Sequence, residues 1–283
     1  MVTFIIPQSL YLEHPRISLD IYPYCNARCV FCAYHTMKRK KIKMPDDLFQ
    51  SCIKQFASWN VPLRITPQFY GEFFLNPEWL HCLQYIETTA PKAIIEITTN
   101  GSLLDDFKLT ELLNMTNVKY IGFSVYAFFP ETHARLMGLP PYTLGRIETA
   151  VKRISEERPD INMTIGYTID QRYLGDLESE MIGRKWGDLS APHFISYNSQ
   201  HNYNRNYPCQ TPCANIFDRI VILSDGRVTP CCFDSEGELD IGNAYENDLL
   251  QIYRGEKALR LRAAHECGER DTIPLCKSCT QST

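Results

Sequence analysis

The chain has 283 residues, of which 44% are hydrophobic, 22% charged and 12% aromatic, and its formal net charge is −4. That length suits one large domain or a main domain with a smaller appendage, and the mildly acidic balance argues against a protein that coats nucleic acid. No window approaches the run of about 18 apolar residues that marks a membrane helix, and the N-terminal MVTFIIPQSLYLEHPR lacks the basic start of a secretory signal. The twelve cysteines therefore read as thiolate ligands in a reducing cytoplasm rather than as a disulfide framework.

Between residues 16 and 197, short β-rich runs alternate with amphipathic stretches. Strands are predicted over 16–21 (RISLDI), 64–70 (RITPQFY), 93–98 (AIIEIT), 118–125 (VKYIGFSV), 161–168 (INMTIGYT) and 193–197 (HFISY). Helices are predicted over 46–58, 77–89, 103–115, 143–157 and 174–184, the first with Pro45 and two aspartates making a favourable opening turn. Such alternation implies parallel strands joined by right-handed crossovers. The repeats fall short of an eight-stranded barrel, so an α/β fold with a partial (β/α)6 TIM-like barrel is expected, its active site at the C-terminal strand ends.

Near residue 198 the texture changes. NSQHNYNRNYPCQTPC reads as a long polar loop, and FDRIVILSDGRVTPCC as a β-hairpin turning at Asp225-Gly226. A helix is predicted over roughly 246–265, ahead of the tail DTIPLCKSCTQST. Seven of the twelve cysteines fall in this C-terminal part. A segment this small gains stability from metal ligation. Two domains are expected, over 1–198 and 199–283.

The first concentration of chemistry is YPYCNARCVFCAYH (22–35), where Cys25, Cys29 and Cys32 follow the first strand with the spacing C-x3-C-x2-C. A cubane iron–sulfur cluster takes four thiolates, so three leave one iron open, and an open metal position is the mark of a catalytic site. A zinc knuckle that borrows His35 is the alternative on spacing alone.

CNARCVFC resembles the cluster motif of the radical S-adenosylmethionine (SAM) superfamily, including the aromatic Phe31 before its third cysteine. The resemblance implies a [4Fe–4S] cluster on these cysteines whose open iron is chelated by SAM. It also implies reductive cleavage of SAM to a 5′-deoxyadenosyl radical that abstracts hydrogen from substrate. Tyr70-Gly71-Glu72 resembles the family's GGEP segment, with Tyr70 and Phe73 departing from it. Thr99-Asn100-Gly101 is similar to the TNG segment near the SAM ribose, and Ser124 stands where relatives contact SAM. Phe31, Gly71, Glu72, Asn100 and Ser124 are thereby the expected SAM-binding residues.

Downstream, Cys213, Gly226, Cys231 and Cys276-x2-Cys279 resemble the twitch domain, a shortened SPASM extension. The resemblance implies one auxiliary [4Fe–4S] cluster on Cys213, Cys231, Cys276 and Cys279; the ligand set by itself suits zinc equally well. Cys52 and Cys82 are expected to be buried apolar residues and Cys267 a surface or hinge residue. Cys209 and Cys232 are candidates for a substitute ligand or a hydrogen-donating thiol. Arg205, in an aromatic-rich loop, is a candidate clamp for a substrate oxyanion. The basic run MKRKKIKM (37–44) is read as a solvated stretch or as an attraction for an anionic partner.

The start of the first strand near residue 16 is expected to leave no room for a peptide-recognition domain, which favours a small molecule or a short peptide over a leader-guided precursor. The whole pattern is similar to short twitch enzymes that dehydrogenate an aminocyclitol alcohol. By that resemblance the chain is an oxidoreductase of the cytoplasm that acts on a carbohydrate or cyclitol. Its auxiliary cluster accepts an electron, its reductant is a flavodoxin or ferredoxin, and neither nucleic acid nor membrane is a partner. Epimerisation or peptide modification with a cysteine hydrogen donor is the alternative within the class, and a non-catalytic zinc or iron–sulfur protein the alternative outside it.

Overall fold

The computed structural model describes residues 15–168, 172–193, 212–277 and 279. Six strands stand side by side in chain order and all parallel: β1 (Arg16–Leu19), β2 (Arg64–Thr66), β3 (Ile94–Thr99), β4 (Val118–Ser124), β5 (Asn162–Thr168) and β6 (Ser190–His193). The crossovers contain α1 (Asp46–Ser58), α2 (Trp79–Thr89), α3 (Asp106–Asn114), α4 (Pro130–Met137), α5 (Thr143–Glu157) and α6 (Asp176–Trp186). α1 opens on Asp46 and Asp47, which favour the positive end of the helix, and turns Leu48, Phe49, Cys52, Ile53 and Phe56 inward at helical spacing. α5 does the same with Leu144, Ile147, Val151 and Ile154. Each such side chain contributes roughly 1.5–3 kcal/mol by leaving water. Cys52 and Cys82 are buried and Cys267 is exposed, as their settings in the sequence imply.

The sixth strand starts ahead of the expected 193–197, of which 194–197 lie outside the described residues. It pairs with β5 through Ser190–His193, and Pro192 lies within it. Among the described residues β6 is the edge of the sheet, where a proline costs no ladder hydrogen bond. α4 was not expected from the sequence, being only eight residues long, yet it carries both terminal signals. Pro130 opens it, and Gly138 closes it in the left-handed conformation at φ +63°.

The C-terminal part is built onto the barrel. After α7 (Asn215–Asp218), β7 (Arg219–Ile222) runs parallel to β1 in the register Arg16↔Arg219. β8 (Arg227–Thr229) and β9 (Gly242–Asn243) then extend the sheet antiparallel. The turn between β7 and β8 falls at the expected Asp225-Gly226, with Gly226 at φ +88°. The helix expected over 246–265 is two helices, α8 (Leu249–Arg254) and α9 (Glu256–Glu266), parted at the extended Gly255. α10 (Pro274–Lys277) ends the described chain ahead of Cys279. The expected boundary at 198/199 lies outside the described residues. No helix among the described residues is long and apolar enough to cross a membrane.

On α4, His133 is fully buried, and neither ring nitrogen has a hydrogen-bond partner among the described residues. Burial holds it down to about 4 from its ordinary 6.5. As pH falls, the unfolded chain takes up this proton near 6.5 and the folded chain only near 4, so stability present above the first value is lost toward the second. The loss amounts to at most about 3 kcal/mol. Thermal melts from about pH 7 to pH 5 should fall less steeply for His133→Leu than for the parent; equal slopes would contradict the assignment.

Candidate active site

The C-terminal ends of the parallel strands open on a cavity of about 280 Å³. Cys25, Cys29 and Cys32 line one side of it, with Gly71, Glu72, Asn100 and Ser124 at the ends of the next strands. The three cysteines share one loop, and that loop is seated on α4. The backbone N–H of Arg28 donates to Met137 O (2.7 Å) and that of Val30 to Leu136 O (3.0 Å). A Cβ on Gly138 would stand 2.8 Å from Arg28 Cβ, so the glycine that ends α4 also admits the loop. The Cys32 sulfur caps the short turn Ala33–His35 by accepting from Tyr34 N–H (3.5 Å), and the Tyr34 hydroxyl accepts from Cys25 N–H (3.1 Å). Phe31 is buried against Tyr126 and Tyr173, with ring centroids 4.7 and 5.6 Å away.

Gly71 is where two loops touch. A Cβ there would lie 2.6 Å from Tyr22 O, a contact only glycine avoids, and next to it Glu72 N–H donates to Tyr24 O (2.8 Å). The buried Glu72 carboxylate braces the following strand end. It accepts from Thr99 Oγ1–H (2.6 Å), Asn100 N–H (2.8 Å) and Phe74 N–H (3.3 Å). Burial pushes this carboxyl up, against the pull of those donors. Asn100 ties the same strand end to the cysteine loop, donating to Asn26 Oδ1 (3.0 Å) and accepting from Ser102 Oγ–H (2.6 Å).

The thiols suit a metal cluster. Burial pushes Cys25 up to about 12, with Glu72 and Cys32 adding to the effect. Burial likewise raises Cys29, where Cys32 and Cys25 add to it. Three thiols that oppose one another's ionisation at one wall are a donor set awaiting cationic charge.

A second, enclosed cavity is lined by Cys213, Cys231, Cys276 and Cys279 together with His265 and Arg270. Burial first, and then Cys279, pushes Cys276 up to about 12; burial and the neighbouring Cys232 raise Cys231. All four expected auxiliary ligands thus meet at one place. Among the described residues, no group of three His, Cys, Asp or Glu side chains is placed to hold a single metal ion.

Cys231 and Cys232 are adjacent, yet Cys231 lines the second cavity and Cys232 the first. Burial pushes Cys232 up to about 11 against the pull of Arg219. Arg219 also lines the first cavity and donates from Nη1 to Ser18 Oγ (3.3 Å) and from Nε to Asn215 Oδ1 (3.0 Å). Sequence reasoning missed this arginine; its one signal was a cation immediately ahead of the apolar run IVIL. Tyr126 also lines the cavity, in a left-handed conformation, φ +55°, uncommon for such a side chain. Arg205 and Cys209 lie outside the described residues.

The radical SAM superfamily profile matches residues 19–177, more than half of the chain. The chain belongs to the radical SAM superfamily. The SPASM profile, described as an iron–sulfur cluster-binding domain, matches residues 213–280. The chain is 24% identical over 264 residues to the S-adenosyl-L-methionine-dependent 2-deoxy-scyllo-inosamine dehydrogenase of Niallia circulans, covering 93% of this chain and 91% of the relative. It is 25% identical over 190 residues to a GTP 3′,8-cyclase of Microcystis aeruginosa, covering 62% of this chain and 54% of the relative. Among solved structures, BtrN in complex with AdoMet and 2-DOIA shares the fold at TM-score 0.69 and 18% identity, over 95% of this chain and 93% of that one. Native anSMEcpe with bound AdoMet does so at TM-score 0.67 and 15% identity, over 93% and 88%. This radical SAM enzyme therefore uses SAM and two iron–sulfur clusters as cofactors.

Proposed function

We propose that this enzyme is a radical SAM dehydrogenase that oxidises a secondary alcohol of a carbohydrate- or cyclitol-like small molecule. The carrying observation is that the neighbours Cys231 and Cys232 line different cavities, so one peptide link separates a four-thiol site from the cavity of the three-cysteine loop. The dehydrogenase from Niallia circulans, matched over most of both chains, supports the choice of substrate class. In this reading Cys25, Cys29 and Cys32 hold the SAM-binding cluster, and Cys213, Cys231, Cys276 and Cys279 the auxiliary one. When bound, the first cluster with SAM supplies a 5′-deoxyadenosyl radical and the auxiliary cluster supplies an electron acceptor.

The chain's own residues shape the rest. Phe31, Gly71, Asn100 and Ser124 form the SAM wall, and Glu72 holds that wall rigid. Arg219 supplies a guanidinium whose N–H groups orient a substrate hydroxyl. The substrate loses a hydrogen atom from its carbinol carbon, the hydroxyl proton and one electron, which leaves the ketone. Arg205 is proposed as a second clamp. An acidic carrier of flavodoxin or ferredoxin type in the cytoplasm is the reductant this reading requires, and the exposed Lys38 and Lys40 after the cysteine loop offer complementary charge.

The position of Cys232 in the cavity favours one second reading, an epimerase in which its thiol returns a hydrogen atom. Anaerobic turnover in heavy water with SAM and dithionite separates the two. A dehydrogenase yields ketone in step with deoxyadenosine, and Cys232→Ala lowers product by no more than a few fold. Recovery of an inverted alcohol carrying solvent deuterium, lost in Cys232→Ala while deoxyadenosine still forms, would establish the epimerase instead.

A further inference from the structure

We infer that His265 and Arg270 set the reduction potential of the auxiliary cluster, His265 by donating its Nε2–H to a cluster sulfur and Arg270 by its charge. The inference rests on the proposed assignment of Cys213, Cys231, Cys276 and Cys279 as ligands.

His265 sits near the end of α9 and is 1% exposed. Its Nδ1 accepts a hydrogen bond from the backbone N–H of Cys213 (3.2 Å). An imidazole nitrogen that accepts carries no proton, so the ring proton is on Nε2. Nε2 is itself buried and has no partner among the described residues, while the ring lines the four-cysteine cavity. A buried N–H left without an acceptor is costly, and the acceptors this cavity would contain are the sulfurs of a cluster. Arg270 is 4% exposed, lines the same cavity, and donates from Nη2 to Cys279 O (3.4 Å).

One histidine thus fixes the backbone of the first ligand with one nitrogen and presents a donor with the other, while a guanidinium adds positive charge. A four-thiolate cluster becomes more negative on reduction, so N–H donors and a nearby cation stabilise the reduced form more and raise the potential. A centre that must take an electron from a substrate radical gains from that shift. His265 and Arg270 act on the cluster, and neither has to touch substrate.

The test is an EPR-monitored redox titration of the full chain carrying Cys25→Ala, Cys29→Ala and Cys32→Ala, which leaves the auxiliary cluster as the only signal. Adding His265→Phe is expected to lower the reduced-to-oxidised ratio at fixed potential about tenfold, or about 59 mV for a one-electron couple. His265→Gln, which keeps an N–H donor, should recover part of the shift, and Arg270→Lys should stay nearer the parent than Arg270→Gln. A merely structural role would lower cluster content without moving the potential. Unchanged potentials in loaded His265→Phe and Arg270→Gln would overturn the inference. Zinc, with no iron–sulfur signal, in the triple variant would overturn it too, and would identify the ligand assignment as the fault. Should His265→Phe fail to load, pulsed EPR on otherwise unmodified triple variant with isotope-labelled histidine decides: a hyperfine coupling from the ring nitrogen supports the contact, and its absence rejects it.

Discussion

Cys25→Ala, Cys29→Ala and Cys32→Ala should each abolish deoxyadenosine release while the auxiliary cluster stays in place. Outer-shell partners of a metal typically account for about 10–100-fold in affinity or activity, and losing a ligand of a site with only three should exceed that. The loop offers no replacement. His35, the donor that a zinc knuckle would require, is exposed. Cys232 lines the same cavity, but the ionisable groups that act on it are Arg219, Cys213 and Arg16 rather than the three loop thiols, which puts it on the hairpin side. Iron and sulfide per chain should fall by one cluster, and the remaining absorbance should belong to the auxiliary site. Deoxyadenosine at near-parental rate from any of the three variants would remove the loop from the reaction.

What the sequence made legible depends on how local each signal is. The limits of α1 and α5 are those expected, 46–58 and 143–157, because long amphipathic periods and, for α1, a proline with acidic residues specify them within a dozen residues. The cysteine loop is equally local, its spacing being chemistry written in consecutive residues. The early start of β6 was missed because Ser-Ala-Pro has no strand pattern of its own and is recruited by pairing with β5. The union of β1 with β7 joins residues about two hundred apart in sequence, and no local pattern encodes such a pairing. Arg219 reaches the cavity only through that union, which is why sequence reasoning missed it. The split at Gly255 was visible as a glycine, but an isolated glycine is tolerated inside helices. The basic run misled in one respect. Lys38 and Lys40 are exposed, whereas Arg39 turns inward to Asp20.

That inward turn carries the second large expected effect: Arg39→Ala should destabilise the fold by about 3–5 kcal/mol, the usual result of leaving one member of a buried ion pair without its partner. Asp20 follows β1 and is 1% exposed, and Arg39 Nη2 stands 2.7 Å from its Oδ2 as a close ion pair. Burial pushes the Asp20 carboxyl up, and the guanidinium opposes it ahead of the backbone N–H groups of Ser224 and Tyr70, so removing the guanidinium takes away the largest influence that favours the buried carboxylate. Arg39 also donates from Nε to Ser235 O (2.6 Å), while the Lys38 and Arg39 N–H groups donate to the two Glu236 carboxylate oxygens (2.7 and 2.8 Å). The segment after the cysteine loop is thereby fastened both to the end of β1 and to the loop that follows Cys231-Cys232. Denaturant unfolding should show the loss, and the apolar pair Asp20→Leu with Arg39→Met should restore most of it, since an apolar pair escapes the desolvation cost. An unfolding free energy within about 0.5 kcal/mol of the parent, as for a surface change, would mean that the pair is not buried. Because the same seam holds Cys232 against the first cavity and Cys231 against the second, Arg39→Ala that still binds both clusters should release deoxyadenosine with less product.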